Sequence, residues 1–127
     1  MRSNAPLPAL VAIVDDDPSV RRSVTSLLQS LDFRVQAFGS AEDFLASDVA
    51  ATACVALDIK LPEMSGLALL ERLRQMNPEV GVVMLTARGD DATRKRAIEL
   101  GAMFFLSKPF RSEDLVKAVR HLVERRP

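Results

Sequence analysis

Leu10-Val11-Ala12-Ile13-Val14-Asp15-Asp16-Asp17 is the stretch on which the fold turns. An apolar run with no polar interruption stops abruptly at three aspartates. A strand wetted on one face alternates apolar and polar side chains, whereas a strand covered on both faces is apolar throughout. With Ala9 this is the longest uninterrupted apolar run in the chain, and it is far shorter than the ~20 residues of a membrane-spanning helix. No secretory leader carries three aspartates directly after its apolar region. The run is therefore a buried strand of a parallel sheet, and the aspartates mark where the chain leaves it.

The pattern changes immediately downstream. Val20, Val24, Leu27, Leu28 and Leu31 recur at helical spacing, with Asp17 placed to cap the helix and Pro18 at its first position. That helix ends near Asp32. Arg34–Phe38 reads as a second strand, and Ser40 caps a short helix over Ala41–Ala46 with Asp43 at the capping-box offset. Cys54–Leu57 is a third strand ending at Asp58, followed by a loop over 59–66 containing Pro62, Ser65 and Gly66. Leu67, Leu70, Leu73 and Met76 mark a third helix that Asn77-Pro78 breaks. Val82–Leu85 forms a fourth strand ending at Thr86-Ala87. A fourth helix runs over Ala92–Leu100 and stops at Gly101. Met103–Leu106 is the fifth strand; Ser107-Lys108-Pro109 leads to a fifth helix over Glu113–Glu124, with Leu115, Val116, Val119, Leu122 and Val123 inward. Strands alternating with helices imply an α/β fold, a parallel sheet covered on both sides.

The composition agrees with a single compact domain: 127 residues, 48% of them hydrophobic. Seventeen basic residues balance seventeen acidic ones, so the basic excess of a free-standing nucleic-acid binder is missing. Cys54 is the single cysteine, which allows no internal disulfide and no thiolate metal motif. A reducing, cytoplasmic setting away from membranes is the expectation.

In open α/β sheets the chemistry sits beyond the carboxyl ends of the strands. Here those ends carry Asp15 and Asp16, Asp58, Thr86 and, past the fifth strand, Lys108. If the first and third strands are neighbours, three carboxylates converge and repel one another until a positive charge joins them. Hard oxygen ligands without histidine or cysteine favour Mg²⁺, with Mn²⁺ as an alternative, over zinc. A carboxylate can attack phosphorus to give an acyl phosphate, and the transfer needs charge neutralisation at the phosphoryl oxygens more than a strong base. A divalent ion, the Lys108 ammonium and the Thr86 hydroxyl would supply it.

Four blocks in this order, Val14-Asp15-Asp16-Asp17, Leu57-Asp58 with Leu61-Pro62-Glu63-Met64-Ser65-Gly66, Leu85-Thr86-Ala87, and Lys108-Pro109-Phe110, resemble the receiver domain of two-component response regulators. The resemblance runs from about Leu10 to Glu124 and is closest to FixJ-like regulators with a LuxR-type output. It implies a flavodoxin-like (βα)5 three-layer sandwich with a five-stranded parallel sheet of order 2-1-3-4-5. It also implies a division into a flexible leader over 1–9, the receiver over 10–125, and a linker or natural C-terminus at 126–127. By the same resemblance Asp58 is the phosphoacceptor, and Asp15, Asp16, Asp58 and the Lys60 carbonyl hold the metal. Thr86 and Lys108 contact the phosphoryl oxygens, Phe105 is the aromatic switch residue, and Lys60 and Arg88 tune dephosphorylation. Phe105 departs from the tyrosine of many receivers and has no hydroxyl to hydrogen-bond. The implied partner is a sensor histidine kinase or phosphotransfer protein. Phosphorylation would change the surface of the fourth helix, fifth strand and fifth helix, favour a homodimer there, and reach DNA through an output domain absent from this chain. The resemblance makes the chain a signalling phosphoacceptor with slow self-dephosphorylation at most, not an enzyme.

Rival functions lack their residues. A phosphatase resembling the haloacid dehalogenases needs a second aspartate two residues after the nucleophile, where this chain has Lys60. A flavin carrier of the same fold needs a Ser/Thr/Gly-rich phosphate loop where Asp15-Asp16-Asp17 stands. Asp17 is read as a helix cap, Cys54 as a small core residue and His121 as a solvated residue of the last helix.

Overall fold

The computed structural model describes residues 8–87 and 91–124. Most of the expected leader, residues 126–127 and Arg88 lie outside the described residues. Among the described residues five strands are present: β1 (Leu10–Val14), β2 (Arg34–Phe38), β3 (Cys54–Asp58), β4 (Gly81–Thr86) and β5 (Phe104–Ser107). Five helices join them: α1 (Pro18–Ser30), α2 (Ala41–Leu45), α3 (Gly66–Met76), α4 (Asp91–Glu99) and α5 (Ser112–Glu124). A 3-10 turn over Val49–Ala51 went unread in the sequence. All strand pairs are parallel and the order is β2-β1-β3-β4-β5. The flavodoxin-like architecture expected from the motifs is the observed one.

The continuous apolar strands are explained by two cores, one on each face of the sheet. Ala12, Val14, Val55, Leu57, Val82 and Met84 point to one side, where Phe44, Leu69, Leu70, Leu73 and Ala97 meet them. Val11, Ile13, Cys54, Ala56, Val83 and Leu85 point to the other, against Val24, Leu28, Leu115, Ala118, Val119 and Leu122. Alternate residues of β1, β3 and β4 thus serve opposite layers, and each fully buried Leu or Ile contributes roughly 2 kcal/mol of transfer free energy. The edge strands β2 and β5 are only partly covered, and their sequences admit Arg34, Gln36 and Ser107 accordingly.

The helix ends follow local chemistry. The Asp17 carboxylate accepts from the Ser19 amide at 2.8 Å, Ser40 Oγ from Asp43, and Ser65 Oγ from Ala68. At the other end of α1, Asp32 takes φ 69°; its amide bonds Gln29 O while Phe33 N bonds Leu28 O, a Schellman closure. Gly101 (φ 92°) closes α4 in the same way, through Gly101 N to Ile98 O and Ala102 N to Ala97 O. One expected face is corrected. In α3 the buried residues are Leu69, Leu70 and Leu73, while Leu67 is half-buried and Met76, in the last turn, is 46% exposed. Leu70 and the i, i+4 pair Leu69–Leu73 lie over the sheet, whereas Leu67 and Met76 fall at the edges of that stripe.

Candidate functional site

β1 and β3 are neighbours from which the chain winds outward in opposite directions, so the gap beyond their carboxyl ends is the switch point of the sheet. Asp15 follows the last residue of β1 and is fully buried. Its amide donates to Phe38 O at 3.0 Å, and its Oδ1 accepts from the Asp17 amide at 2.9 Å. Asp58, the last residue of β3, is buried too, with Oδ1 accepting from the Lys60 amide at 3.0 Å. Asp16 is exposed at the mouth, and one carboxylate oxygen from each of Asp15, Asp16 and Asp58 lies within 4.8 Å of the others.

Lys108 reaches this cluster from beyond β5. Its Nζ is 2.7 Å from Asp15 Oδ2 and 3.3 Å from Asp58 Oδ2. Its amide donates to the Thr86 carbonyl at 2.7 Å, fixing the two chain segments together just past the Thr86–Ser107 register pair. Thr86 is buried at the end of β4. Ile59 N bonds Leu85 O, and Gly66 N bonds Ile59 O at 2.8 Å, folding the loop after Asp58 back onto the strand ends. A Cβ at position 66 would collide with the Asp58 carbonyl oxygen, so the glycine is there for close approach of two backbones.

The electrostatics follow from this packing. Burial pushes the Asp58 carboxyl above the ordinary aspartate range and the Asp15 charge adds to it; the Lys60 amide and the Lys108 ammonium hold it back. Burial alone would lower the Lys108 ammonium, but Asp15 and then Asp58 outweigh it and its pKa is raised. Three carboxylates face one ammonium, which leaves two negative charges unbalanced, the charge of one divalent cation. Asp15 Oδ2 is buried without a well-directed hydrogen bond, its close neighbour being the ammonium that meets it as an ion pair. An all-oxygen donor set that includes a buried oxygen without a hydrogen bond fits Mg²⁺ or Mn²⁺.

The sequence matches the response regulator receiver domain over residues 11–120. This chain belongs to the response regulator receiver family. Among relatives of this receiver, nodulation protein W of Bradyrhizobium diazoefficiens is 42% identical over 118 residues, 92% of this chain and 52% of that protein. The transcriptional regulatory protein FixJ of Azorhizobium caulinodans is 37% identical over 111 residues, 87% of this chain and 53% of that protein, so FixJ-like relatives are found as the motifs imply. The receiver spans about half the length of such curated relatives. A solved receiver domain protein (CheY-like) from Methanospirillum hungatei superposes with a TM-score of 0.87 at 25% identity, covering 92% of this chain and 94% of that one. Among the described residues no helix is long and apolar enough to cross a membrane.

The structure thus brings together Asp15, Asp16, Asp58, Thr86 and Lys108 of the receiver. Lys60 places its amide in the site, and its side chain is exposed. Phe105 lies half-buried on the same face of the sheet as Thr86, paired with Met84 two residues before it. Two contacts escaped the sequence reading. Arg94 of α4 sets its guanidinium carbon 4.8 Å from the centre of the Phe105 ring. Arg21 donates from Nη1 to the Asp15 carbonyl at 2.8 Å. Neither pairing leaves a signal in local spacing.

Proposed function

We propose that Asp58 is the phosphoacceptor of a two-component system, taking its phosphoryl group from a histidine kinase or phosphotransfer protein. The observation that carries this reading is the buried Asp58 carboxylate at the switch point, flanked by Asp15, Asp16 and the Lys108 ammonium. An Asp58 oxygen attacks phosphorus in line with the donor's P–N bond. That bond breaks, its electron pair returns to the imidazole nitrogen, and an acyl phosphate forms on Asp58. Asp15, Asp16, Asp58 and the Lys60 carbonyl would hold Mg²⁺. Bound there, the ion neutralises charge on the phosphoryl oxygens. Lys108 exchanges a carboxylate partner for a phosphoryl oxygen, and the Thr86 hydroxyl donates to another.

The switch follows from the same residues. Movement of Thr86 toward the phosphoryl group frees space next to β5 that Phe105 fills, leaving Arg94. Exposed Arg94, Lys95, Glu99, Asp114, Lys117 and Arg120 on α4 and α5 then pair across a homodimer. The output is transcriptional control through a DNA-binding domain outside this chain, as the name of the FixJ relative suggests. Intact-protein mass after acetyl phosphate with Mg²⁺ tests the acceptor: one added phosphoryl group is expected, and equal gain by Asp58→Asn rejects the assignment. Sedimentation of phosphorylated and unmodified protein tests the dimer, which identical monomeric behaviour would retire.

A further inference from the structure

Asp15 lies one residue beyond the ladder of β1, fully buried, and its carbonyl has therefore left the sheet. A buried carbonyl without a donor is costly, and here the donor is a side chain from the first turn of α1. Arg21 Nη1 lies 2.8 Å from that oxygen. The position is an unexpected one for a cation. The N-terminal end of a helix is positive, and α1 has no acidic residue in its first turn to offset Arg21. Among the described residues Arg21 also has no carboxylate within ion-pair distance, so its role is the carbonyl bond.

Gly39, in the turn after β2, supports the same reading independently. Its φ is not left-handed, so its backbone does not require glycine. What a side chain would meet is the guanidinium: a Cβ there would lie 3.1 Å from Arg21 Nη1 and 3.5 Å from Cζ. Position 39 is small where Arg21 has to lie.

The carbonyl that Arg21 holds belongs to the planar peptide joining Asp15 to Asp16. Asp16 is exposed, and its carboxylate makes no hydrogen bond or ion pair among the described residues. With no side-chain partner, that carboxylate is placed only as well as its backbone is held. We propose that Arg21 is a positioning residue: by holding the Asp15–Asp16 peptide it aims the Asp16 carboxylate at the cation position shared with Asp15 and Asp58. The proposal rests on the metal reading given under Proposed function.

Charge and position predict opposite signs for its removal. Deleting a cation near a cation site strengthens Mg²⁺ binding by Coulomb attraction alone, whereas losing the strut weakens it. Calorimetric titration of the unphosphorylated chain with Mg²⁺ therefore decides the matter, alongside metal-free melting curves. Arg21→Ala should raise the Mg²⁺ Kd by roughly ten-fold, the usual scale for residues that orient metal ligands. Arg22→Ala removes the same charge from an exposed neighbour and should leave the Kd unchanged or slightly lower. Gly39→Ala should weaken binding in the wild-type background and have no further effect in Arg21→Ala, since both act through one guanidinium. A lowered melting temperature with an unchanged Kd in Arg21→Ala, or a tighter Kd, overturns the proposal. So does a Gly39→Ala effect that persists without Arg21. Wild-type protein that takes up no Mg²⁺ overturns the metal reading itself and this inference with it.

Discussion

Replacing Lys108 with methionine keeps most of the alkyl stem and removes the charge, leaving Asp15 and Asp58 facing each other below the surface. The Asp15 side chain is 0% exposed, that of Asp58 8%, and that of Lys108 23%. Breaking a buried ion pair from one side costs about 3–5 kcal/mol, because the remaining charge stays buried without its partner. Lys108 is nearly a quarter exposed, so water recovers part of the loss and the lower end, about 3 kcal/mol, applies. For a chain of this length that lowers the metal-free melting temperature by roughly 10 °C. Asp58, already raised by burial and by Asp15, rises further once the lowering effect of Lys108 is gone. Lys108→Met should therefore regain stability on mild acidification, because the folded state binds more protons than the unfolded one. Millimolar Mg²⁺ should restore stability as well, by replacing the lost positive charge. Urea denaturation at near-neutral and mildly acidic pH, with and without Mg²⁺, measures all three effects. Metal-free Lys108→Met as stable as wild type near neutral pH would refute the reasoning, since the ammonium would then not be balancing the two carboxylates.

Asp58→Asn should be more stable than wild type without metal, by roughly 1–2 kcal/mol, the order of one partly screened like-charge repulsion. Because the folded pKa of Asp58 is raised, wild-type stability falls as pH climbs from the ordinary aspartate value of 3.8 through the raised one; urea titrations across that window should show the fall in wild type and not in the variant. The Lys108 contribution has the opposite placement: it is fully present below 10.5 and is lost as pH rises through its raised folded value. Gly66→Ala should cost about 3 kcal/mol in chemical denaturation, since its Cβ would meet the backbone oxygen of Asp58 rather than a yielding side chain. Unchanged stability there would mean the loop after β3 moves aside freely. Finally, we propose that Lys60 and Arg88 shield the phosphoryl group from in-line water, so the double change Lys60→Asn, Arg88→Glu should shorten the life of the phosphorylated protein. Single-turnover loss of phosphate measures it, and equal lifetimes dispose of the shielding idea.

Alternating apolar runs and helical periods were enough to find every strand and all five helices, with boundaries displaced by a residue or two. The caps at Asp17 and Ser40 and the stop at Gly101 were legible for the same reason. Each depends on side chains and peptide groups a few residues apart, which the chain brings together however the remainder folds. The site residues were legible as types at strand ends, since a parallel sheet delivers every carboxyl end to one edge. Their geometry was not. That Lys108 meets both Asp15 and Asp58, that burial rather than the ammonium dominates Asp58, and that Asp15 Oδ2 is left without a hydrogen bond depend on the order of the strands.

The long basic side chains were the least legible part. Arg74 looks like an ordinary charge on the polar side of α3, yet its guanidinium donates to the carbonyls of Pro78, Val80, Leu100 and Gly101 at 2.7–3.2 Å, counting the Nε bond to Leu100. Arg94 and Arg21 are alike in this respect, one reaching an aromatic ring on the neighbouring strand and the other a carbonyl at the end of β1. Periodicity assigns such residues to a wet face, because it records where the Cβ points and not where a flexible stem of several bonds can carry its charge. The sequence by itself determined the layers, the sheet and the identity of the acidic edge, all consequences of backbone pattern. The partner of each long cation was decided only by the tertiary structure, because the carbonyls and rings they meet are supplied by segments that the fold alone makes neighbours.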